Sequence, residues 1–190
     1  MATYNETAGR EAVPARPRKL VVLHWLTVLC LLGGVTAILI RDEVATRVAR
    51  QWLLEIHRHF GLVVLTLFFI RVGVRIRIGK LPAVGTPSLA MRAAAGLVHI
   101  ALYVVLLIQP LLGWALSNAQ GKPVHLFGLT LPALVAADED LADTLQQWHT
   151  QVAWLLLGLV VLHVSAALWH HFVLRDGLLR TMLLQRQRDE

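Results

Sequence analysis

Four stretches of this chain, residues 20–40, 53–76, 90–116 and 148–173, are long and apolar enough to cross a lipid bilayer. Nothing else in the sequence constrains the fold as strongly. A hydrocarbon layer roughly 30 Å thick takes about 20 helical residues at 1.5 Å each. Hydrophobic residues make up 56% of the 190-residue chain, and the mean hydropathy is +0.61. Soluble domains sit near 45–50% apolar, so the expected fold is all-α, an integral membrane four-helix bundle. Within the second stretch only residues 60–70 are unbroken by charge. Pro110 lies inside the third, where it should bend the helix without ending it. The long connection is 117–147: "GLTLP" reads as an ordered turn and "ADEDLAD" as the solvated start of a short helix.

The net charge of +6 is spread over the segments between apolar runs. It therefore orients membrane helices and offers no patch for nucleic acid; the partner it implies is membrane lipid. Of 18 Lys and Arg residues, only Arg41, Arg47, Arg50, Arg58 and Lys122 fall on the side opposite the termini. By the positive-inside rule both termini are cytoplasmic, as four spans require. The first apolar run is too long for a signal peptide core and holds His24, so it reads as a retained span. The expected organisation is a flexible cytoplasmic tail over residues 1–19, the transmembrane domain over 20–176, and a basic cytoplasmic tail over 177–190. Multi-pass insertion in a membrane, with both termini on its cytoplasmic side, follows.

Cys30 is the only cysteine, and it lies in an apolar run. That excludes an internal disulfide, a thiolate zinc site and a cysteine-bound iron–sulfur cluster, and no CxxCH is present for covalent haem attachment. Histidines are the unusual feature. His24, His57, His99, His149 and His163 lie within or at the edges of the apolar runs. A buried imidazole costs free energy unless it is paired, and an intramembrane ionisable group is a functional candidate. One such histidine is explained by an interhelical hydrogen bond; five are not. The unbroken apolar stretches contain no Asp or Glu that would suit a proton or divalent-metal transporter.

His149 and His163 are fourteen residues apart, which returns a helix to within about 40° of the same face and separates them by about 21 Å. Two such ligands cannot hold one metal, but they can hold two, stacked across the membrane. Each needs a partner from another helix. Near one surface "EIHRHFG" offers His57 and His59, which point to nearly opposite faces; Gly61, one turn from His57, favours His57 by leaving room for a flat macrocycle. Near the other surface His24 and His99 both qualify. Zinc usually takes three or four ligands, whereas haem takes one or two axial ligands in an apolar slot. Two bis-histidine haems b fit this pattern.

The motifs "LHW", "IHRHFG", "HIALYVVLLIQPLLGW", "FGLTLP", "WH" and "LHVSAALWHH" occur in an order and spacing that resembles the bacterial cytochrome b561 family of dihaem membrane cytochromes, superoxide oxidases included. The likeness runs from Leu20 to Arg180. The same histidine pair recurs in the membrane b subunits of formate dehydrogenases and nickel–iron hydrogenases. The resemblance implies that His57 and His149 ligate an outer haem and His24 and His163 an inner one. It also implies that His99 and His170 lie on the quinone side, where His170 shares the face of His163. The implied activity is that of a superoxide:ubiquinone oxidoreductase, carrying electrons from periplasmic superoxide to ubiquinone as acceptor. Positive charge beside the outer haem would draw the anion, with Arg58 and Lys122 as candidate catalytic residues. The alternative is a cytochrome b subunit relaying electrons between quinone and a partner dehydrogenase or cytochrome.

Overall fold

The computed structural model describes residues 16–79 and 88–182. Four long helices account for most of them: α1 (Arg18–Arg41), α2 (Arg47–Ile78), α3 (Leu89–Ala119) and α4 (Glu139–Trp169). At 1.5 Å per residue each is long enough to span a bilayer. Three of them, α1, α3 and α4 with its extension to Leu174, also have the composition for it. In α2 the apolar stretch is bounded by Arg58 and His59 on one side and Arg71 on the other. It crosses alongside α1 and α3, on which it packs.

The polarity of the surface is inverted relative to a soluble protein. Leu29, Leu32, Leu39, Trp154, Leu155 and Val161 are each more than half exposed. The buried positions are few, and among the described residues no large side chain is fully buried. Buried Thr27 returns its hydroxyl to the Leu23 carbonyl at 2.7 Å, as a polar side chain in an apolar medium must. Lipid covers such an exterior, and the chain folds as a membrane bundle.

Helix ends are set locally. Asp138 caps α4 by accepting from the Leu141 amide at 2.8 Å. The acidic run expected to begin a separate short helix is therefore the first turn of α4 itself, with Glu139 and Asp140 favourably placed against the helix dipole. Thr46 and Ser88 cap α2 and α3 in the same way. Pro110 leaves α3 continuous. Between α3 and α4 the "FGLTLP" motif forms a two-stranded hairpin, β1 (His125–Leu126) and β2 (Leu129–Thr130). Its turn residues Phe127 and Gly128 have φ of 48° and 85°, the left-handed pair that a two-residue hairpin needs. After α4 a π-helical turn (His170–Leu174) leads to a 3₁₀ turn (Leu178–Met182), and Trp25 Nε1 donates to the Met182 carbonyl at 2.8 Å. The expected tails at 1–19 and 177–190 lie largely outside the described residues, as do residues 80–87 of the α2–α3 connection.

Packing is uneven around the bundle. α1 lies along α2, α3 along α4, and α2 against α3, but α4 has no extensive backbone packing on α1 or α2. The α1–α2 approach is closest at Gly33, where an added Cβ would sit 2.7 Å from the Phe60 ring. Gly33→Ala is expected to lower stability by about 1–3 kcal/mol through overpacking, read as a drop in thermal midpoint in detergent. Gly73, with nothing within 4 Å of such a Cβ, should accept alanine without loss.

Candidate functional site

The bundle has a terminal end, where α1 begins and α4 finishes, and a loop end, where α1 meets α2 and α3 meets α4. Histidine pairs form toward each. At the loop end the rings of His57 on α2 and His149 on α4 have centres 6.1 Å apart. At the terminal end His24 on α1 and His163 on α4 are 6.3 Å apart, and His99 on α3 also reaches His163, at 5.4 Å. His59 turns away, toward Phe127 at the hairpin tip, 6.1 Å between ring centres. Its Nδ1 donates to the Glu55 carbonyl of its own helix at 2.8 Å.

His57 Nδ1 donates to the Gly34 carbonyl at 2.9 Å, which fixes the tautomer and leaves Nε2 with a lone pair for a metal. His149 sits beside Gly113, where a Cβ would meet its Cε1 at 3.1 Å. Gln109 Nε2 donates to the His149 carbonyl at 3.1 Å and lies 3.3 Å from His149 Nε2. His149 Nδ1 is buried without a hydrogen-bond partner among the described residues. A buried imidazole nitrogen left over in this way calls for a ligand. At the terminal end Arg71 Nη1 lies 3.4 Å from His24 Nδ1, and its guanidinium sits 5.7 Å from the Tyr103 ring.

These observations fit an iron porphyrin. A metal–imidazole bond is about 2 Å long, so two rings facing one iron have centres roughly 6 Å apart. Both α4 histidines face helices on which α4 is not closely packed, so a flat group can enter between them. His99 is different: its helix packs directly on α4, and its Nδ1 donates to the Ala95 carbonyl at 2.6 Å. The residues able to hold a haem are thus His57 with His149 and His24 with His163. Among the described residues no cluster of three or more His, Cys, Asp or Glu side chains suits a metal bound by protein alone.

A family model described as prokaryotic cytochrome b561 matches residues 15–185. The chain belongs to the prokaryotic cytochrome b561 family. It is 32% identical over 165 residues to a probable superoxide oxidase, CybB, of Yersinia pestis, covering 87% of this chain and 93% of that protein. It is 29% identical over 168 residues to cytochrome b561 homolog 1 of Escherichia coli K12, covering 88% and 96%. To cytochrome b561 homolog 2 of the same organism it is 35% identical over 133 residues, covering 68% and 69%. The protein is therefore a bacterial membrane electron-transfer cytochrome that binds haem b.

Two further regions flank the histidine pairs of this cytochrome. At the loop end a cavity of about 220 Å³ is lined by Arg41, Arg47, Arg50, Gln51, Leu54 and Lys122. Four cations from α1, α2 and the α3–α4 connection converge there, Arg41 being paired with Asp42 at 3.3 Å. Lys122 also donates to Gln120 Oε1 at 3.1 Å, and none of Asp138, Glu139, Asp140 or Asp143 lines the cavity. Arg58 is not part of it: its guanidinium is paired with Glu55 at 2.5 Å. That pairing, and the positions of Gln109 and Arg71, were missed from sequence, although Glu55 and Arg58 stand at a helical i, i+3 spacing that signals a pair.

At the terminal end His170 Nδ1 donates to Asp176 Oδ2, and Asp176 Oδ1 accepts from the Leu178 amide at 3.0 Å. The turn between them needs left-handed backbone at Arg175, φ 52°, and Gly177, φ 75°. A cavity of about 270 Å³ beside it is lined by His171, Phe172, Arg175, Gly177 and Arg180. Burial pushes the Asp176 carboxyl upward, but the hydrogen bonds from His170 and the Leu178 amide outweigh it and hold the pKa below the usual carboxylate value. Asp176 thus stabilises the returning segment at pH above its unfolded pKa of about 4, and that stability is lost as pH falls through the lower folded value. Hydrogen exchange of residues 177–182 should accelerate on acidification through that range. In Asp176→Asn it should be fast at neutral pH and independent of pH there, once intrinsic exchange is corrected for.

Proposed function

We propose that this cytochrome carries electrons through the bilayer on two haems b, oxidising superoxide at the loop end and reducing ubiquinone at the terminal end. The loop end faces the periplasm and the termini the cytoplasm of an inner-membrane protein. The observation that carries this reading is the presence of two separated histidine pairs along one helix, His149 with His57 and His163 with His24. Held between such pairs, haem would supply reversible one-electron transfer. Two superoxide anions each lose an electron and leave as dioxygen; one quinone gains the two electrons and two protons and leaves as quinol.

The chain's own residues bind, attract and hold protons. His57 is oriented by Gly34, and His149 is seated by Gly113 and Gln109. The cavity lined by Arg41, Arg47, Arg50 and Lys122 concentrates anions at the loop end, against the general bias of positive charge toward the other side. Lys122 is the candidate substrate-contacting cation. Arg58 attracts less because Glu55 neutralises it. At the terminal end His170 and His99 lie, in this reading, on the quinone side, where side chains must deliver the protons that quinol formation consumes.

The relative named as a probable superoxide oxidase, aligned over 93% of its length, supports the same substrate. The test is to add superoxide to the purified cytochrome in detergent with ubiquinone under dioxygen-limited conditions. Haem reduction should be followed by formation of one quinol per two superoxide consumed. Haems that stay oxidised with superoxide, yet reduce with quinol, would overturn the oxidase reading in favour of a relay between quinone and a partner protein.

Gly113→Ala should displace the His149 imidazole and lower the haem retained per chain, while Gly96→Ala, with open space at its Cβ, should not. Reversing Lys122 to Glu should slow haem reduction by superoxide roughly tenfold at low ionic strength, with the effect fading as salt screens the cavity.

A further inference from the structure

The two arginines nearest these histidine pairs in sequence or space are compensated differently. Arg58, next to His57 in the chain, has a 12% exposed side chain held by Glu55 at 2.5 Å. Arg71, near the other end of the same helix, has no carboxylate within ion-pair distance among the described residues. Its partners there are the His24 ring, 3.4 Å from Nη1, and the face of Tyr103 at 5.7 Å. A contact of 3.4 Å is too long for a well-formed hydrogen bond. What Arg71 supplies to the His24 site is therefore mainly charge, and an arginine keeps that charge at every accessible pH.

A metal centre that accepts an electron loses one positive charge, so an uncompensated cation beside it favours the reduced state. A cation already paired with a carboxylate does so far less. The low dielectric of the bundle interior makes the difference larger than it would be in water. The Tyr103 ring adds no opposing full charge, since its face attracts the guanidinium through its quadrupole.

We infer that Arg71 is a positioning cation for electrons: it raises the midpoint potential of the haem held by His24 and His163 above that held by His57 and His149, so that electrons run from the loop end to the terminal end. This rests on the dihaem reading above. Glu55 is the counterpart at the other end, since it cancels Arg58 and keeps the loop-end potential low. A step in potential from the loop end to the terminal end is then built into the charge pattern of α2.

The experiment is an anaerobic potentiometric measurement on the purified holoprotein, with haem per chain quantified for every variant. His163→Ala, which should keep only the loop-end haem, identifies that component. Arg71→Gln should lower the other component by about 59 mV, a tenfold change in its one-electron equilibrium, and leave the loop-end component in place. Arg71→Lys should retain most of the wild-type value. Glu55→Gln should raise the loop-end component and narrow the gap, and it carries the test if Arg71→Gln loses haem. Two haems per chain with midpoints unmoved in Arg71→Gln, or in Glu55→Gln, would overturn the inference alone. One haem per chain in the wild type would overturn it together with the dihaem reading.

Discussion

An imidazole placed in hydrocarbon must find something to bind, and the rest of this structure depends on that requirement. The lipid outside offers no hydrogen bonds, so each intramembrane histidine is satisfied from within the bundle or by a ligand. His57 finds the Gly34 carbonyl with one nitrogen and keeps the other free. His149 keeps a buried nitrogen with no partner among the described residues. Helix positions follow: α4 stands off from α1 and α2, while α3 packs against it. A bundle held only by side-chain packing has no reason to keep α4 apart from both α1 and α2.

The same requirement explains why small residues sit where they do. Gly113 makes room for His149, and Gly33 and Gly34 let α1 approach the Phe60 and His57 side of α2. These glycines contribute by what they leave out. The two α helical hairpins are thereby held close at α1–α2 and α3–α4, where burial of small apolar residues stabilises them. Charged residues are pushed to the two ends. At the loop end they gather around a cavity; at the terminal end they are clipped by the His170–Asp176 pair and the Trp25–Met182 hydrogen bond.

Membership of the prokaryotic cytochrome b561 family and the geometry reinforce one another from independent directions. The family match covers residues 15–185 and implies haem b. The ring separations near 6 Å arise from the chain's own packing. The charge pattern is a third line, since it concerns neither histidine spacing nor overall likeness. It separates a basic cavity at the loop end from an arginine in contact with the His24 ring at the terminal end.

The number of long helices, the histidine faces on α4 and the continuity of α3 through Pro110 were legible in the sequence, because apolar run length and periodicity are local properties that hydrocarbon enforces. The start of α4 was misjudged by about nine residues, since the acidic run looked solvated and its role as a cap for α4 depends on the turn before it. Which histidine pairs with which was open on spacing alone: His24 and His99 stood at similar depth, and in the structure both rings lie near His163, with α3 the helix packed on α4. Arg58 looked free in the sequence, yet a rotamer choice binds it to Glu55. Arg71 and Gln109 carried too little pattern to stand out, and their meaning comes from neighbours 40 or more residues away. The sequence by itself determined a membrane-spanning helical chain with histidines at fixed heights along α4. Tertiary structure decided which helices face those histidines and where charge is left uncompensated, because both depend on contacts between segments far apart in the chain.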